Sequence, residues 1–187
     1  MTDTLLLIRH AETDLAGRFC GHSDPPVNDR GRRQIEELLK TLAGESIEAI
    51  YTSDLLRALA TADAIAKDRG LSPIAVSELR EIYFGEWEGL SWQEIESRDP
   101  EHARQWSETY PGLPAPGGER FEAFQSRILA AVKHILNTSS QKSAAVVTHA
   151  GAMRVVLRAL CGLDEQEAWE RTKAYCGFFR YSAGRRA

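Results

Sequence analysis

Leu5-Leu6-Leu7-Ile8 runs without interruption into Arg9 and His10. Four consecutive apolar residues leave no polar face for a helix, so the run suits a strand buried on both sides of a sheet. The chain leaves that strand carrying a guanidinium and an imidazole. Ala144 to Val147 repeats the pattern and closes on Thr148 and His149. Between these two runs, Asn28 can cap a helix with Ile35, Leu38, Leu39 and Leu42 on one face, and a short strand over Glu48 to Thr52 follows. Ser53 or Asp54 is expected to cap a second helix, with Leu55, Leu59, Ala62 and Ala66 inward and Arg57 in or just after its first turn. Ile74 to Val76 reads as a third strand leading to Leu79, Arg80 and Glu81.

The rest of the pattern is helical, with one exception. Short helices are expected around Trp92 and Ala103, and Phe121, Phe124, Ile128, Val132 and Ile135 mark a long amphipathic helix. Met153, Val156, Leu157 and Leu160 continue as a helix after His149, while Tyr175 to Tyr181 suits an edge strand. Strands alternating with helices imply an α/β fold, a mainly parallel sheet covered on both faces.

The chain has 187 residues, the size of one domain able to bury roughly 70% of its unfolded surface. With 43% hydrophobic and 27% charged residues it has the composition of a globular protein rather than a disordered or fibrous one. No repeat or linker divides it, and Tyr110 to Gly118, rich in proline and glycine, reads as an ordered loop. A net charge of −4 gives no global attraction to nucleic acid or to an anionic membrane, so a bound anion must be held by a local cluster of positive groups. Leu5 to Ile8 is too short for a signal-peptide core, and nothing approaches a membrane span. Cys20, Cys161 and Cys176 are odd in number and form no Cys-x-x-Cys pair, which argues against a disulfide framework or a zinc knuckle. The cytoplasm is the expected compartment.

In open α/β sheets the ligand crevice lies beyond the carboxyl ends of the strands. Arg9 and His10, Arg57, Glu81 and His149 all follow expected strands and would meet on that rim. The set suffices for a phosphate monoester. Guanidinium forks pair with phosphate oxygens, a neutral imidazole attacks phosphorus, and a partly buried carboxyl group supplies the leaving group's proton. Glu81 is the candidate acid, and the helix after His149 turns its positive end toward the anion. A single such residue is more often structural: Arg57 alone reads as a solvated helix residue and Glu81 as half of an ion pair with Arg80. His10 and His149 could share a zinc ion, but local spacing supplies no third ligand. His22, His102 and His134 have no comparable placement. Convergence carries the case.

These residues give the chain a resemblance, over nearly its whole length, to the histidine phosphatase superfamily, the phosphoglycerate mutase-like group. Leu7-Ile8-Arg9-His10-Ala11-Glu12-Thr13 resembles its Arg-His-Gly-Glu-Thr signature, and Gly21 through Asp24-Pro25-Pro26 to Gly31 its following loop. Thr52-Ser53-Asp54-Leu55-Leu56-Arg57-Ala58, with Thr61-Ala62, is similar to the segment bearing the second phosphate arginine, and Thr148-His149-Ala150-Gly151 to the second-histidine motif. Glu81 falls where the family has its acid. The resemblance implies a three-layer α/β/α sandwich and a metal-independent phosphomonoester hydrolase without cofactor. His10 would be phosphorylated, with Arg9, Arg57, Glu81 and His149 as its catalytic partners and Thr13, Gly21 and Ala150 as substrate contacts. The partner implied is a small phosphorylated metabolite, and a homodimer is the candidate assembly. Residues 1–187 would form one domain with a lid-like insert around 83–118.

Two departures stand out: Ala11 replaces a glycine of the signature, and Ala16 stands where many members carry an asparagine that touches phosphate. Losing that bond would weaken binding by about 1 kcal/mol, with Thr13 or Cys20 in partial compensation. The segment Phe84-Gly85-Glu86-Trp87-Glu88-Gly89, the Trp106 region, and Pro116-Gly117-Gly118-Glu119 with Phe121 and Arg127 resemble α-ribazole phosphatases of cobalamin biosynthesis. Broad-specificity phosphatases carry similar segments. Tyr83, Phe84, Trp87, Trp92, Trp106 and Tyr110 can wall a pocket for a flat base, or serve as packing anchors. A phosphoglycerate mutase and a non-catalytic phospholigand-binding protein are the alternatives.

Overall fold

The computed structural model describes residues 2–138 and 141–182. In chain order the elements are β1 (Thr4–Arg9), α1 (Asp29–Thr41), β2 (Ala49–Thr52), α2 (Leu56–Arg69), β3 (Pro73–Ala75), α3 (Trp92–Arg98), α4 (Pro100–Thr109), α5 (Phe121–Thr138), β4 (Ser143–Thr148), α6 (Ala150–Cys161), α7 (Glu165–Thr172) and β5 (Phe178–Ser182). The strands form one sheet in the order β3-β2-β4-β1-β5. β1 runs parallel to β4 with Arg9 level with Thr148, β2 lies parallel to β3 and β4, and β5 pairs with β1 in the antiparallel sense.

Alternation along the central strands sorts their side chains into two cores. Leu5, Leu7, Ala144 and Val146 face α5, α6 and α7, where they meet Phe124, Ile128, Val132, Met153 and Val156. Leu6, Ile8, Ile50, Ala145 and Val147 face α1 and α2, against Leu38, Ala58, Ala62 and Ile65. This is the three-layer α/β/α sandwich, and the buried runs of β1 and β4 are apolar throughout because both of their faces are covered.

Asn28 caps α1 as expected, its side chain accepting the Gly31 N–H at 2.8 Å. The start of α2 differs from expectation. Leu55 occupies the cap position without a side-chain bond, because Ser53 and Asp54 are engaged elsewhere: Ser53 Oγ lies 2.9 Å from His149 Nε2, and Asp54 binds Arg80 through both oxygens. The capping oxygen comes instead from a remote loop, Asp24 Oδ1 accepting the Leu56 N–H at 2.7 Å. Helix α7 was not anticipated, although its Asp164 to Glu167 capping box is visible in the sequence.

A third apolar cluster lies beyond the sheet. Trp87, Ile95, Ala103 and Ala115 are buried there, with Phe19, Phe84, Trp92 and Trp106 against them. Trp87 and Trp106 meet nearly edge to face at 5.5 Å between ring centroids, and Phe19 meets Phe84 at 5.0 Å in the same way. Trp87 is therefore a packing anchor, whereas the rims of Phe84, Trp92 and Trp106 reach a cavity. Among the described residues no helix is long and apolar enough to cross a membrane.

Candidate active site

β1 and β4 are adjacent and parallel, so the residues that follow them must emerge side by side. The His10 and His149 rings lie with centroids 5.0 Å apart. His10 Nδ1 is 2.6 Å from the carbonyl oxygen of Ala11, an acceptor only, so Nδ1 carries the proton and Nε2 keeps its lone pair. Arg57 Nε donates to that Nε2 at 3.3 Å. Burial, and after it the Arg57 guanidinium, holds the His10 imidazole well below its ordinary pKa. The same two causes, joined by His10, act on His149, so both rings are neutral at pH 7.

Ser53 Oγ accepts the Leu55 N–H at 3.4 Å and lies 2.9 Å from His149 Nε2, which fixes the orientation of the ring. Among the described residues His149 Nδ1 and Arg9 Nε are the two buried side-chain polar atoms with no hydrogen-bond partner. Buried polar atoms are ordinarily satisfied, and these two unpartnered nitrogens near His10 mark a place for an anionic ligand. Arg9 is held by Nη1 bonds to the carbonyls of Thr172 and Lys173, and its guanidinium carbon lies 3.8 Å from the Tyr175 ring centroid. Burial lowers its pKa from the ordinary arginine value.

Glu81 is buried, and its carboxylate accepts the Ile82 N–H at 3.0 Å and the Gly151 N–H, in the first turn of α6, at 2.8 Å. Arg127 on α5 grips the segment that presents it, donating to the carbonyls of Glu78, Arg80 and Glu81 at 2.7 to 2.9 Å while Glu119 pairs with its fork. Glu88 gathers the N–H groups of Gly21, His22, Ser23 and Phe84, and this drives its pKa down in spite of burial, which acts upward.

Arg9, His10, Thr13, Glu81 and Ala150 line one cavity of about 690 Å³, with Arg154 further along and Phe19, Phe84, Trp92, Trp106 and Phe121 as apolar walls. Arg57, His149 and Gly21 stand behind this wall. Arg57 is fully buried, and its terminal nitrogens donate to the carbonyls of Gly21 and Ser23 at 2.7 Å each. Gly21 is needed for close approach, since a Cβ there would fall 2.1 Å from the Ile82 carbonyl oxygen. Ala11 is buried without a positive φ, so its methyl group strains nothing, and Ala16 is exposed. Sequence reasoning missed Ser53 as the partner of His149, Tyr175 under Arg9, and the cation Arg154. Ser53 and Asp54 both looked like helix caps, and nothing local marks the other two. Among the described residues no three His, Cys, Asp or Glu side chains gather closely enough to hold a metal ion.

Fold and site together define a phosphoglycerate mutase-like α/β protein in which His10, paired with His149 behind it, opens onto a ligand cavity. The chain belongs to the histidine phosphatase superfamily (branch 1), which it matches over residues 5–185. It is 32% identical over 167 residues to phosphoserine phosphatase 1 of Hydrogenobacter thermophilus, covering 88% of this chain and 79% of that one. It is 30% identical over 167 residues to the adenosylcobalamin/alpha-ribazole phosphatase of Escherichia coli, covering 88% and 82%. The crystal structure of the alpha-ribazole phosphatase from Shigella flexneri superposes with a TM-score of 0.85 at 27% identity, over 95% of this chain and 89% of that one.

Proposed function

We propose that the protein hydrolyses small phosphate monoesters through a phosphohistidine on His10. The observation that carries this is the pair of unpartnered buried nitrogens, Arg9 Nε and His149 Nδ1, near His10, whose protonated Nδ1 leaves the Nε2 lone pair facing, among the described residues, only the Arg57 Nε. Nε2 attacks phosphorus, an N–P bond forms, the ester P–O bond breaks, and the leaving oxygen takes a proton from the Glu81 carboxyl group. Water then attacks phosphorus, Glu81 takes its proton, the N–P bond breaks, and orthophosphate departs. Arg9 and His149 donate to the transferring oxygens. Arg57, lying 3.3 Å from Nε2, holds the ring and places positive charge where the phosphoryl group arrives. Thr13 and Ala150 contact the substrate from the cavity wall, and Gly21 acts through Arg57.

The names of the relatives supply two substrates, alpha-ribazole phosphate and phosphoserine, both small phosphorylated metabolites. Comparing their turnover separates a cobalamin-pathway enzyme from an amino-acid one, and equal rates indicate a broad-specificity phosphatase. The chemistry itself is tested by mixing protein with a labelled monoester and quenching: acid-labile, base-stable label is expected, and it should vanish in His10→Ala. Label that persists in His10→Ala removes the assignment. Interconversion of phosphoglycerates faster than phosphate release would make the protein a mutase instead.

A further inference from the structure

Resting on the phosphatase reading, we propose that Arg154 selects the substrate, binding a carboxylate carried a few bonds from the phosphate ester. Arg154 sits on α6 five residues beyond His149, and a rise of about 1.5 Å per residue carries it roughly 7 Å further along the helix axis. It lines the same cavity as His10 and Arg9, with its side chain folded back along the helix so that Nε reaches the Ala150 carbonyl.

Its surroundings distinguish it from the other arginines there. Arg158 is paired with Glu165 and Arg18 with Glu94, whereas Arg154 has no ion pair among the described residues. Its one hydrogen bond within the described residues is from Nε to the Ala150 carbonyl at 3.3 Å, which leaves the two terminal nitrogens uncommitted. The guanidinium carbon lies over the Trp169 ring, 4.5 Å from its centroid, and the residue is half-buried. A stacked guanidinium is preorganised for two parallel bonds to a carboxylate. Charge agrees with this: Arg9 and Arg57 stand at the phosphate end beside Glu81, and Arg154 is a further guanidinium of the same cavity without a carboxylate partner among the described residues. An ester without a second anion leaves the Arg154 charge half-buried and unpaired.

Two matched pairs of esters test the assignment: phosphoserine against phosphoethanolamine, and 3-phosphoglycerate against glycerol 3-phosphate. Each pair differs chiefly by the carboxylate, and p-nitrophenyl phosphate reports the chemistry alone. The wild-type protein should prefer the carboxylate member of each pair. Arg154→Gln should lower kcat/KM for that member by about 10- to 100-fold, mainly through KM, with partial recovery in Arg154→Lys. The esters without a carboxylate, p-nitrophenyl phosphate included, should stay within about twofold. Equal losses on both members of a pair, or no wild-type preference, would overturn the inference while leaving the phosphatase intact. Failure on all five esters would overturn this inference, and failure on alpha-ribazole phosphate as well would remove the phosphatase reading.

Discussion

Glu81 and Gly151 show how little room the chemistry has at the level of single residues. The Glu81 carboxylate is seated against the first turn of α6, and a Cβ on Gly151 would fall 2.2 Å from Glu81 Oε1. Gly151→Ala must therefore push the acid out of place without touching His10. The expected outcome is a fall in kcat of about 100-fold with the phosphohistidine still trapped, measured by single-turnover kinetics on an aryl phosphate. Unchanged turnover would mean that Glu81 is not the proton donor. At this scale the sequence was most legible, because Arg9, His10 and His149 each directly follow an apolar strand. The placement of Arg57 behind the nucleophile was not legible, since three carbonyls from a loop more than 30 residues earlier in the chain settle where its nitrogens point.

Elements deliver these residues, and α5 does so from a distance. Arg127 bonds three carbonyls of the segment leading to Glu81, a set of charge-assisted contacts that a shorter or single-pointed cation cannot reproduce. Arg127→Lys should lower kcat by about tenfold while leaving KM within twofold, the split expected of a residue that positions the proton donor without touching the substrate. A parallel rise in KM would show general loosening of the cavity instead. The helices themselves were readable from apolar spacing, and so was the cap on α1. The cap on α2 was not, because the oxygen that fills it belongs to Asp24, and local pattern has no access to a donor supplied by another loop.

For the whole molecule, two buried neutral histidines couple folding to acidity. Both imidazoles titrate below their ordinary value in the folded state, with burial as the main cause and Arg57 next. The unfolded chain therefore takes up protons first. Stability is complete above the ordinary histidine value of about 6.5 and is lost as pH falls through it, by up to about 1.4 kcal/mol per pH unit for each ring. Urea midpoints should hold steady from pH 8 to 7 and fall from pH 6.5 downward, with a shallower fall in the double variant His10→Gln, His149→Gln. A midpoint insensitive to pH in that window would contradict the burial of the two rings. The same titration tests the proposal of one domain: tryptophan fluorescence, dominated by the cluster around Trp87, and far-UV circular dichroism should give coincident transitions.

By itself the sequence determined the order of strands and helices apart from α7, the two-faced burial of β1 and β4, and the residues that leave their carboxyl ends, because all of these follow from local apolar periodicity. Tertiary structure alone decided that Arg57 bears on Nε2 of His10, that Ser53 meets His149 Nε2, and that Arg154 keeps an unpaired fork in the cavity. Those are directional contacts between groups distant along the chain. Periodicity reports which face of an element is buried, whereas the aim of a hydrogen bond depends on the packing of every element around it.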